Sequence, residues 1–72
     1  MWPESTRTLT LSQLRELARA RGKCVWRVLS ADHHRVVLRA PGDPLRMISH
    51  LVDDETIAHL LALKAAGQPF EP

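Results

Sequence analysis

Cysteine is nearly absent from this 72-residue chain: Cys24 stands alone, so no disulfide can form within it. Such usage fits a reducing compartment, and the cytoplasm is the expected location. Aromatic side chains are equally scarce, with Trp2, Trp26 and Phe70 and no tyrosine. Sheets that bind single strands stack several bases on aromatics, and here only Trp26 falls among strand-forming residues. No apolar run approaches the roughly 20 residues needed to span a bilayer, so no membrane role is expected. Residues 1–6 lack the basic-then-apolar order of a signal peptide. The three glycines fall at expected turns or helix ends, which excludes a glycine-rich phosphate loop.

What is present describes one small folded domain. A chain this short buries only about 60% of its unfolded surface, and homodimerisation is the obvious supplement to a thin core. Apolar residues make up 44% of it, an ordinary share for a folded protein. The net charge is only +2 but is unevenly spread: residues 1–39 carry +5 and residues 40–72 carry −3. Such a dipole can orient an anionic partner or pair copies head to tail.

Two helices are strongly signalled. Thr10 with Gln13 has the spacing of a capping box, and Leu9 with Leu14 that of a hydrophobic staple. Leu11, Leu14, Leu17 and Ala18 form an inward stripe, and Gly22 ends the helix. A second helix begins at Asp53 or Asp54, with Val52 and Ile57 as its staple. Its expected inward residues are Ile57, Leu60, Leu61 and Lys64, and Gly67 and Pro69 close it.

Between the helices, residues 24–30, 35–39 and 45–49 read as strands. The linkers are residues 31–34, with Asp32-His33 at the turn, and Pro41-Gly42-Asp43-Pro44. Short linkers make the strands antiparallel neighbours. The expected register opposes Ser30 to Arg35, Leu29 to Val36 and Trp26 to Arg39, and then Leu38 to Met47 and Val37 to Ile48. Alternation assigns Val25, Arg27, Leu29, Val36, Leu38, Ala40, Leu45, Met47 and Ser49 to a core face under both helices. The other face carries Cys24, Trp26, Val28, Ser30, Arg35, Val37, Arg39, Arg46 and Ile48 and is expected to stay open. The result is an α+β fold of two layers, αβββα, over residues 9–67. A flexible segment at 1–8 precedes it, and a tail at 68–72 follows, with Phe70 placed to tuck against the core.

The chemistry-bearing residues do not assemble into a known catalytic pattern. His33, His34, His50 and His59 lack any metal-ligand spacing. Cys24 follows the end of a helix, where the dipole raises a thiol's pKa and opposes activation. Ser12 and Ser30 lack a nucleophile elbow. Neither catalysis, a metal nor a cofactor is expected.

The order helix–three strands–helix, together with the length, resembles that of double-stranded-RNA-binding domains. The resemblance implies phosphate contacts at the start of the second helix, where that family carries lysines. Here the segment is Asp53-Asp54-Glu55, which repels phosphate. The resemblance is therefore one of topology. The expected function is a small regulatory or accessory protein that binds another protein through the open face. Trp26, Val28, Val37 and Ile48 would be its apolar centre and Arg39 and Arg46 its readers of acidic groups. The alternative is a nucleic-acid-binding regulator using Arg15, Arg19 and Lys23 of the first helix with Arg35 of the sheet. Burial of the same face in a homodimer is the third.

Overall fold

The computed structural model describes residues 8–22, 25–43 and 45–72. Helix α1 spans Leu11–Ala20, strands β1 Arg27–Asp32, β2 Arg35–Arg39 and β3 Met47–Leu51, and helix α2 Asp54–Ala66. The strands form one antiparallel sheet in the order β1-β2-β3. Both helices pack on one of its faces, giving the two-layer αβββα architecture read from the sequence. Most of the expected flexible segment (residues 1–7) lies outside the described residues, as do Lys23, Cys24 and Pro44.

Local chemistry sets both helix ends. The Thr10 hydroxyl accepts from the Gln13 N–H at 3.2 Å, and Gln13 Oε1 accepts from the Thr10 N–H at 2.9 Å. This reciprocal pair satisfies two of the four orphan donors of α1. Leu14 and Ala18 are buried, and Leu11 and Leu17 pack against the same core. Asp53 caps α2 by accepting from the Thr56 N–H at 2.9 Å, and Gly67 closes it in the left-handed conformation at φ 69°. The inward ridge of α2 is Thr56, Leu60 and Leu63 with Ile57 beside it, whereas Leu61 and Lys64 point to solvent. That corrects the expected stripe. Thr56 reaches the core because its hydroxyl is satisfied locally by Asp53, so burying it leaves no orphan donor.

The sheet departs from the expected register at both hairpins. His33 and His34 form the first turn, both left-handed at φ 51° and 63°, so Asp32 opposes Arg35 and Ala31 opposes Val36. Leu29 is then bulged out: Ser30 opposes Val37, Val28 opposes Leu38 and Arg27 opposes Arg39. At the second hairpin the Ala40 carbonyl accepts from the Asp43 N–H at 3.2 Å, and the Ala40 N–H donates to the Arg46 carbonyl at 3.0 Å. Leu38 consequently opposes Ile48 and Val37 opposes Ser49.

The Leu29 bulge and the one-residue slip at the second hairpin change which side chains face the helices, whereas the two-residue shift at the first turn does not. The buried face carries Trp26, Val28 and Ala31 from β1 and the residues leading into it, Val36, Leu38 and Ala40 from β2 and its exit, and Ile48 and His50 from β3. The central strand lies as expected, and both edge strands are inverted. Trp26, Val28 and Ile48 are therefore core residues and not the exposed centre of a docking face. Trp26 has 0% exposure, and its indole N–H is buried without a partner among the described residues.

Both sheet edges are partly closed by the chain's own ends. Trp26 and Phe70 exchange backbone hydrogen bonds of 2.9 and 2.7 Å, and Phe70 is buried in the core. At the opposite edge the Leu9 N–H donates to the Leu51 carbonyl at 3.0 Å and the Leu9 carbonyl accepts from Asp53 at 3.0 Å. Pairing an edge blunts its tendency to recruit a foreign strand.

Candidate functional site

The face of the sheet turned away from the helices is open, and its composition follows from the register. One cross-strand row is Arg27, Arg39 and Met47. The next is Ser30, Val37 and Ser49, with the bulged Leu29 alongside, and the third is Asp32, Arg35 and Leu51. Leu29 and Met47 are 37% and 40% exposed, while Val37 and Leu51 are half-buried. The surface thus alternates arginines with aliphatic side chains across about three strands' width.

Its charge is one-sided. Arg27 lies directly opposite Arg39, and like charges in that position destabilise a strand pair. Arg35 donates to the Ser49 hydroxyl at 3.3 Å, which holds its guanidinium against β3. Among the described residues no carboxylate lies within ion-pairing distance of Arg27, Arg35 or Arg39; Asp32, the acid on this face, sits 3.5 Å from His33.

The sequence-derived site divides accordingly. Val37 and Arg39 lie on the open face as expected, joined by Arg35. Arg46 does not share it. Its guanidinium donates to the Arg21 carbonyl at 2.9 Å and sits 3.4 Å from Asp43, while Arg21 donates to the Met47 carbonyl at 3.4 Å. This reciprocal clasp ties the end of α1 to the β2–β3 loop, so Arg46 is a structural residue. Arg15 and Arg19 belong to α1, on the helical layer, with Arg15 half-buried and Arg19 exposed in the last turn. They do not share a surface with Arg35. Lys23 lies outside the described residues.

Arg27, Leu29, Met47, Ser49 and Leu51 enter the site although the sequence reading gave the first four to the core. Arg27 itself carried the signal, since an unpaired arginine under two helices is far costlier than one on a wet face.

A second constellation lies at the hairpin tip. The His34 carbonyl accepts from the Val52 N–H at 2.7 Å, and the His34 ring contacts the Asp54 carboxylate at the start of α2. Asp53 beside it is held below the usual carboxylate range, first by the Thr56 hydroxyl and then by the Thr56 N–H. Among the described residues no three His, Cys, Asp or Glu side chains converge as metal ligands, and no helix is long and apolar enough to cross a membrane. The chain matches no protein-family model, and comparison with curated proteins and with solved structures finds no significant match.

Proposed function

We propose that this domain is a non-catalytic binding module that captures an acidic protein partner on its open sheet face, in a regulatory or accessory role. One observation carries the reading: Arg27 and Arg39 face each other across the ladder with no described counter-ion, amid half-exposed Leu29, Val37 and Met47. A partner that brings carboxylates relieves that repulsion, and its apolar groups cover the aliphatic side chains. Arginine and apolar residues together make the composition of an interface hot spot.

Two rival occupants fit the face less well. Pairing two copies face to face would set three arginines against three others, with only Asp32 to offset them. Nucleic acid would meet the arginines, but among the described residues this face offers no aromatic for a base to stack on. The helix α1 arginines lie on the other layer, so a single phosphate track would not engage both groups.

Arg39→Glu and Val37→Asp test the reading, because both change the open face and leave the core intact. Retention of a host protein by the wild type and its loss with both variants, at unchanged melting temperature, is the expected result. Equal retention by all three chains would overturn the proposal. Binding to random RNA or DNA that weakens steeply with salt would transfer the face to the nucleic-acid alternative.

A further inference from the structure

The edge of β1 and the C-terminal end of α2 enclose a cleft of about 390 Å³. Val25, Val28, Pro41 and Pro69 give it apolar walls, and Arg27 and Lys64 supply two cations. One wall is the strap of residues 67–69 that leaves α2, and the backbone pair between Phe70 and Trp26 pins that strap in place. The wall is therefore a fixed part of the fold. The volume lies within the range of about 300–1,000 Å³ typical of small-molecule pockets.

We infer that this cleft binds a small amphipathic carboxylate, with its carboxyl group between Arg27 and Lys64 and its aliphatic chain along Val25, Val28 and the two prolines. Charge fixes the head group. Neither cation has a carboxylate partner among the described residues, and the Arg39 opposite Arg27 adds to the local positive potential. A single negative charge is the fitting one, because the C-terminal end of a helix disfavours anions. That end is muted here: the Leu63 carbonyl accepts from Gln68 at 2.9 Å and the Lys64 carbonyl from Gly67 at 3.1 Å. The walls fix the tail. Val25 is 39% exposed and gains cover from an aliphatic chain, and no proline or valine side chain offers a hydrogen bond to a polar one; Gln68 is the one uncharged polar side chain of the lining.

The site shares Arg27 with the open sheet face and is otherwise separable from it, since Lys64, Val25 and Pro41 take no part in the proposed partner surface. The test is an NMR titration of the whole chain with decanoate, with decanol and decylamine as controls. Decanoate is expected to shift the amide signals of Val25, Val28, Lys64 and Gly67 saturably, with Kd of about 0.1–1 mM for a ligand of this size. Lys64→Glu is expected to weaken decanoate at least tenfold and Lys64→Gln by less. Val37→Asp, which removes the partner surface, should leave decanoate binding unchanged. Circular dichroism of each variant confirms that the fold is kept. Absence of a saturable shift, equal binding of decanol and decanoate, or undiminished binding by Lys64→Glu would each overturn the inference. None of those results bears on capture of a protein by the sheet.

Discussion

Phe70→Ala is the perturbation that weighs most heavily on the fold. Phe70 stands third from the end of the sequence, where a side chain ordinarily contributes little, yet it is buried among the largest core residues beside Trp26. Truncating a buried phenylalanine costs about 3–5 kcal/mol through lost transfer energy and the cavity left behind. The two backbone hydrogen bonds to Trp26 survive the substitution only if the strap stays docked, and each is worth about 1 kcal/mol net. For a domain of 72 residues the total stability is about 4–11 kcal/mol, so the loss approaches the whole. At about 4–8 °C per kcal/mol, the melting temperature should fall by at least about 12 °C. The assay is thermal unfolding followed by circular dichroism and by fluorescence in a Trp2→Phe background, where Trp26 is the sole indole. Its emission should shift to the red as the strap leaves. Phe70→Leu, which keeps most of the volume, should cost only about 1–2 kcal/mol. A Phe70→Ala protein melting within about 3 °C of the wild type would refute the docked strap and remove one wall of the cleft.

Three further substitutions probe the helix ends and the first turn. His33 holds φ at 51°, where a β-carbon costs energy, so His33→Gly should gain about 0.5–1 kcal/mol in urea unfolding. Thr10→Ala removes the capping box of α1 and should lose about 1 kcal/mol in the same assay. Asp53 is held below its ordinary value of 3.8 by the hydrogen bonds from Thr56, so the stability it contributes is fully present above that value. It is lost as pH falls through the lowered pKa. Asp53→Asn keeps an acceptor for the cap without the titration, and should flatten that part of the decline in melting temperature as pH falls below the ordinary value of 3.8.

The elements were legible and the faces of the edge strands were not, for different physical reasons. Helix ends are written in short-range chemistry. Thr10 and Gln13 can satisfy each other only across one turn, and Gly67 followed by Pro69 leaves a helix nowhere to go. Strand faces depend on register, and the side-chain period of two converts a slip of one residue into complete inversion. Two such events occurred, the Leu29 bulge in β1 and the one-residue slip at the second hairpin that sets Leu38 opposite Ile48. The first turn, with His33 and His34 in left-handed conformations that glycine or asparagine would normally advertise, moved the pairing by two residues and left the face unchanged. The bulge inserted a residue that no local pattern announces. β2 escaped inversion because Val36, Leu38 and Ala40 have small or polar alternates on the other side only at Arg35 and Arg39, which fixes its face by itself.

Burial energetics could have arbitrated where loop lengths could not. The expected register exposed Trp26 and buried Arg27, its neighbour; the structure does the reverse. Exchanging them transfers a large apolar side chain into the core and releases a guanidinium to water, and both changes favour the observed face. The same exchange explains why the open surface is basic rather than aromatic. Once Trp26, Val28 and Ile48 are committed to the core, what remains opposite is what strand alternation leaves: Arg27, Arg35 and Arg39 with medium aliphatics between them. A surface of that kind lacks the single deep anchor that an exposed indole would provide. On the proposed function, its selectivity rests on the spacing of the arginines, about one ladder row from Arg27 and Arg39 to the bulge and another to Arg35. A partner whose carboxylates match that spacing gains from all three, whereas a partner matched only in net charge gains from one or two and loses most of its affinity in salt.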